Sequence, residues 1–132
     1  MYLFDKSQYQ KLLKEAVAQR NSEMEICGLI IDTGFGYKLV RVRNSSRKKG
    51  SFTFSTFDVR KIVTATKTLG QEVVGTFHSH PVGLAVPSDS DIRYAVDNSL
   101  MLIFDCCDKT SNLWKIQKGR ARKMKFGFAL PK

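Results

Sequence analysis

The run Glu72-Val73-Val74-Gly75-Thr76-Phe77-His78-Ser79-His80-Pro81 constrains this chain more than any other stretch. Its first part is apolar and β-branched, the composition of a buried strand, and side chains alternate faces along a strand. His78 and His80, the only histidines of the chain, therefore point the same way. Pro81 cannot continue a ladder and Gly83 loosens the backbone, so the strand is expected to stop where the imidazoles emerge, with a short loop after it. The chain must build a sheet that carries two imidazoles together at one strand end.

Pro87-Ser88-Asp89-Ser90-Asp91 then precedes a segment with helical spacing, in which Ile92, Ala95 and Val96 fall on one face, Ser88 is the N-cap and Asp91 lies in the first turn. Two neutral imidazoles and one carboxylate form a ligand set suited to zinc, and three protein ligands leave a fourth position for water or substrate. Ser88 and Asp91 also read as an ordinary capping pair, Ser-x-x-Asp. The two readings are compatible, because a cap can fix the position of the Asp91 carboxylate.

A chain of 132 residues with 42% hydrophobic and 26% charged content has the size and balance of one soluble domain, expected over 1–132. No stretch approaches the ~18 apolar residues of a membrane span, and Met1-Tyr2-Leu3-Phe4-Asp5-Lys6 lacks the layout of a signal peptide, so the expected location is the cytoplasm. Cys27, Cys106 and Cys107 are odd in number and lie in apolar runs, which fits reduced core cysteines rather than a disulfide framework or a Cys-x-x-Cys knuckle. Cys27 as a nucleophile paired with a histidine is the other reading.

The net charge of +10, from 22 Lys and Arg against 12 Asp and Glu, gathers in two clusters, Arg41 to Lys49 and Lys115 to Lys125. Such clusters attract nucleic acid or an acidic protein surface, or serve as a solvated face. No recognition helix, zinc-finger spacing or ribonucleoprotein aromatic motif supports a dedicated nucleic-acid binder.

The rest of the chain reads as a mixed α/β pattern. Asp5 or Ser7 caps a helix through about Arg20, with Tyr9, Leu12, Leu13, Ala16 and Val17 as its apolar stripe. Glu25 to Ile31 and Tyr37 to Val42 form a hairpin across a Gly-rich turn, Ser51 to Ser55 a short strand, and the segment from Phe57 to about Gly70 a second helix. Leu100 to Cys107 and Leu113 to Ile116 pair across a turn at 108–112, and alternation resumes weakly around Met124 to Phe128. This order predicts a mixed sheet with helices packed on it.

Glu25-x-Cys27-Gly28, then His78-Ser79-His80-Pro81, then Ser88-x-x-Asp91 with six residues between Pro81 and Ser88, together resemble the full signature of the JAMM (MPN-plus) metalloproteases. The resemblance spans most of the chain and implies the JAB/MPN fold, an α+β curved mixed sheet flanked by helices and related in shape to cytidine deaminases. It implies one zinc held by His78, His80 and Asp91, Glu25 as general acid and base, and Ser88 stabilising the tetrahedral intermediate. The chemistry agrees, since a carboxylate buried at the start of an apolar strand needs a partner.

Many members of that family cut after the C-terminal glycine of ubiquitin or a ubiquitin-like protein. The short spacing from Phe54 to His78 leaves little room for long insertions, so this chain resembles the compact prokaryotic form. The substrates so implied are a ubiquitin-like modifier, a sulfur-carrier protein, or conjugates made in a bacterial antiphage system. A general zinc metallopeptidase and a non-catalytic MPN scaffold are the other readings. A deaminase is disfavoured because Cys106-Cys107 does not match Pro-Cys-x-x-Cys.

Overall fold

The computed structural model describes residues 1–130; Pro131 and Lys132, the end of the expected domain, lie outside the described residues. Among the described residues the chain forms β1 (Tyr2–Phe4), α1 (Lys6–Ala18), β2 (Cys27–Asp32), β3 (Tyr37–Val42), α2 (Thr56–Thr68), β4 (Glu72–His80), α3 (Asp89–Tyr94), β5 (Ser99–Asp105), β6 (Thr110–Gln117), β7 (Arg120–Met124) and β8 (Phe126–Phe128). The strands make one mixed sheet in the order β7-β6-β5-β4-β2-β3-β1-β8. β4, which carries both histidines, lies inside it, antiparallel to β2 and parallel to β5.

The sheet curls until its edges approach. β7 and β8 are the two edge strands, yet Lys125 alone joins them, and two consecutive Cα steps span at most about 7.6 Å. α1 fills the hollow of this curl. Asp5 caps it by accepting the Gln8 N–H, and its buried stripe Tyr9, Leu12 and Ala16 packs on Phe4, Ile30, Leu39, Phe77 and Leu102. The Tyr9 ring touches Phe104 of β5 at 5.5 Å and Phe128 of β8 at 5.0 Å, although four strands separate those two in the sheet.

The opposite face of the sheet carries α2 over β3 and β4, and a smaller core in which Ala85 joins Met101, Ile103 and Ile116. Alternation along β4 separates the two faces. Phe77 enters the α1 core, whereas His78 and His80 face the other way. Gly28 of β2 is opposite Phe77, and a Cβ there would lie 2.2 Å from the Val40 carbonyl oxygen and 2.3 Å from the Phe77 ring. Only glycine lets β2 and β4 pack at this distance.

The expected end of β4 holds, since the strand stops at His80, before Pro81, with β5 paired alongside as far as His80 with Asp105. Several expectations need correction. Glu25 does not start β2. The ladder begins at Cys27, since the Ile26 N–H donates to the Ser79 hydroxyl. The strand expected at Ser51–Ser55 is reduced to a single bridge between Asn44 and Phe54, because the Asn44 amide takes up the Ser51 carbonyl and the Thr53 N–H. α3 ends at Tyr94, where Ala95 turns extended, so Val96 is exposed rather than on a helix face. No helix among the described residues is long and apolar enough to cross a membrane.

Candidate metal centre

The antiparallel register pairs Cys27 with His78, and continuing it outward brings Glu25 opposite His80. Glu25, His78 and His80 thus share one face of the sheet, and their ligand atoms lie within 4.8 Å of one another. α3 brings the fourth group. Ser88 and Asp91 make a reciprocal capping box in which the Ser88 hydroxyl accepts the Asp91 N–H and the Asp91 Oδ2 accepts the Ser88 N–H at 2.9 Å. That cap aims Oδ2 at the imidazoles.

Three atoms converge. His78 Nε2 is 3.1 Å from His80 Nε2 and 3.1 Å from Asp91 Oδ2, and His80 Nε2 is 3.3 Å from the same oxygen. Ligand atoms about 2.0–2.1 Å from a tetrahedral zinc stand roughly 3.3 Å apart, so the triangle fits such an ion. Glu25 Oε1 is buried with no hydrogen-bond partner, an orphan acceptor beside the triangle. A carboxylate left so is costly unless water or a cation meets it.

The protonation states follow from burial and from the shared carboxylate. Burial pushes Glu25 up to about 7, with His80 opposing and the Asp91 anion adding to the rise. Burial also holds His78 below the ordinary imidazole range, favouring the neutral form. Burial pulls His80 down as well, but its bonds to Asp91 and to the Leu84 carbonyl outweigh this and raise it. Burial opposes the charge on Asp91, yet hydrogen bonds from His78 and His80 hold its carboxyl below the usual carboxylate range.

Residues that sequence reasoning missed complete the site. Phe52 stacks on His78 with ring centroids 4.8 Å apart, and it fixes a ring whose Nδ1 has no hydrogen-bond partner. Asn44 donates to the Glu25 carbonyl at 3.0 Å and so ties the Glu25 backbone to the loop that carries Phe52. The pair Phe52-x-Phe54 was the available signal, although its alternation mimics a strand. Cys27 is set aside as a nucleophile, because burial pushes its thiol up to about 12 and its Sγ faces the Val42 carbonyl. Cys106 is likewise buried and free, while Cys107 is free but exposed.

A groove of about 1590 Å³ passes the site. Leu29, Thr76, Phe52, Phe54, Tyr94 and Val96 are among the residues that line it. Glu25, His80, Ser88 and Asp91 also line it.

Comparison with known proteins identifies the fold and the family. The structure resembles that of protein DSY2949 from Desulfitobacterium hafniense, at 24% identity and a TM-score of 0.74, covering 96% of this chain and 91% of that one. It resembles a Salinibacter ruber protein at 19% identity and a TM-score of 0.65, covering 98% and 93%. AF2198, a JAB1/MPN domain protein from Archaeoglobus fulgidus, matches at 17% identity and a TM-score of 0.55, covering 96% and 99%, so the chain has the JAB/MPN fold. A search of curated proteins finds no match. The family described as prokaryotic homologs of the JAB domain matches residues 6–117, from the first residue of α1 to the last of β6. That span covers every residue of the site, and the chain belongs to the prokaryotic JAB homologs.

Proposed function

We propose that the chain is a zinc-dependent peptidase or isopeptidase that cleaves after the C-terminal glycine of a ubiquitin-like modifier or sulfur-carrier protein. One observation carries the reading: His78 Nε2, His80 Nε2 and Asp91 Oδ2 form a triangle of 3.1–3.3 Å with the orphan Glu25 carboxylate beside it. A structural metal site would be closed, whereas three protein ligands beside an open groove leave a coordination position free.

His78, His80 and Asp91 would hold the zinc. Bound zinc would supply Lewis acidity to the scissile carbonyl and lower the pKa of a coordinated water to about 7. Glu25 takes the proton from the attacking water, whose oxygen bonds to the carbonyl carbon. As the C–N bond breaks, Glu25 returns that proton to the leaving amine, so it acts first as base and then as acid. Its raised proton affinity suits both roles near neutral pH. The Ser88 oxygen already accepts the Asp91 N–H, which leaves the hydroxyl proton to donate to the developing oxyanion.

The groove supports the substrate class. An extended tail ending in glycine needs little width, while a folded body stays outside. Val82 and Leu84 project from the loop beside the site at 74% and 70% exposure, an apolar surface available to that body. The test is a panel of small β-grasp modifiers fused through their terminal glycine to a reporter, assayed with zinc, with chelator and with Glu25→Gln. The reading predicts cleavage at the glycine junction that chelator and Glu25→Gln both abolish. Efficient cutting of unstructured peptides with no cutting of fusions would replace it with a general metallopeptidase. No cutting of either would favour a non-catalytic scaffold.

A further inference from the structure

The loop from Pro81 to Pro87 leaves β4 immediately after His80 and turns back at Gly83, whose φ of +111° a side chain would strain. Its return lets the Leu84 carbonyl oxygen meet His80 Nδ1 at 2.7 Å. A carbonyl only accepts, so Nδ1 carries a proton, and Nε2 is the nitrogen that faces the triangle. The geometry of that ligand depends on where Leu84 stands.

Leu84 and its neighbours have little to hold them. Val82, Leu84 and Val86 are all exposed, and Ala85, at 3% exposure, is the residue among them that enters a core. Its carbonyl accepts two bonds from β6, from Trp114 Nε1 at 2.9 Å and from Asn112 Nδ2 at 3.3 Å. Asn112 and Trp114 are two residues apart on one strand, which puts both donors on the same face. Among the described residues, no other side-chain or backbone hydrogen bond from outside the loop reaches segment 82–86.

We propose that Trp114 is a positioning residue for the metal centre: its indole N–H holds Ala85 against β6, which fixes the Leu84 carbonyl and through it the tautomer and aim of His80. The chain Trp114–Ala85–Leu84–His80 runs from β6 across β5 to the end of β4. It gives His80 the outer hydrogen bond that metal-binding imidazoles usually make. Trp114 touches neither substrate nor metal in this account.

This inference rests on the metal-centre reading, and the experiment separates the two. Zinc affinity is measured by competition with a chromophoric chelator for the wild type, Trp114→Phe and Asn112→Ala. In parallel, the ring 15N shifts of His80 are recorded in the metal-free wild type. Trp114→Phe keeps an aromatic ring and removes the donor; it should weaken zinc about tenfold while the unfolding midpoint of the metal-free protein stays close to wild type. The metal-free wild type should show His80 protonated on Nδ1. Zinc affinity of a folded Trp114→Phe within twofold of wild type overturns the proposal. If Trp114→Phe does not fold, a His80 ring whose Nδ1 carries no proton in the wild type overturns it instead. A wild-type chain that binds no zinc overturns the reading beneath it.

Discussion

Ile26 and Ser79 face each other across β2 and β4 in a mixed pair: the Ser79 N–H donates to the Ile26 carbonyl at 3.0 Å, while the Ile26 N–H donates to the Ser79 hydroxyl at 2.9 Å. A regular ladder would use the Ser79 carbonyl for the second bond. The hydroxyl takes that carbonyl's place, ends the regular ladder and leaves Glu25 outside the strand.

Replacing Ser79 by Ala leaves the buried Ile26 N–H without its partner. The expected loss is about 1–3 kcal/mol of stability, read from denaturant unfolding of the metal-free protein. An unchanged midpoint and slope would show that the strands close up and restore a regular pair.

Gly28→Ala adds a methyl where the Val40 carbonyl and the Phe77 ring already stand within 2.2–2.3 Å of the Cβ position. Overpacking of this kind costs typically 1–3 kcal/mol, and the backbone carbonyl has no rotamer by which to escape. Thermal unfolding of the metal-free variant measures it. Adding Phe77→Leu should recover only part of the loss, because the Val40 contact remains.

At the start of α2, Asp58 accepts from the Arg43 backbone N–H at 3.0 Å and from its guanidinium at two further points, 3.1 Å each. The Arg43 side chain, together with its backbone N–H, holds the Asp58 carboxyl below its usual value. A carboxylate depressed in the folded state contributes stability above its unfolded pKa of about 3.9 and loses it as pH falls through the folded value. Asp5, held down by the Gln8 N–H of its cap, adds in the same direction. Stability should therefore fall below about pH 4, and Asp58→Asn should flatten that part of the profile. An identical acid limb in Asp58→Asn would assign the loss to other carboxylates.

Much of this was legible in the sequence, for identifiable reasons. His78, His80, Ser88 and Asp91 sit on a strong strand pattern and a capping box, both local signals that tertiary contacts did not override. The three residues of β1 were not legible, since they pair in parallel with β3 and β8 from distant parts of the chain and are too few to show a period. Phe52 and Asn44 escaped because their roles are non-local. Asn44 satisfies backbone that a strand would have paired, and Phe52 reaches His78 only once that loop is folded. The first basic cluster also changed meaning. Arg41 pairs with Glu15, Arg43 with Asp58 and Lys49 with Glu23, so part of its charge is neutralised within the chain.

The second cluster differs. Arg120 and Arg122 are exposed on edge strand β7, and Arg122 is paired in register with Lys115. Among the described residues none of these three makes an ion pair. Charge reversal at Arg120 and Arg122 should slow association with an acidic modifier and weaken the salt dependence of kcat/KM, leaving zinc affinity unchanged. An unaltered salt dependence would make this a solvated edge that merely discourages strand pairing.

In the proposed centre His78, His80 and Asp91 hold the metal while Glu25 stands beside it. Zinc content of purified wild type, Asp91→Ala and Glu25→Gln tests it most directly, because Glu25 with the two histidines is itself a group of three able to hold an ion. About one zinc per chain is expected in wild type and in Glu25→Gln, with strongly reduced content in Asp91→Ala. Full zinc in Asp91→Ala together with its loss in Glu25→Gln would overturn this assignment and make Glu25 the third ligand.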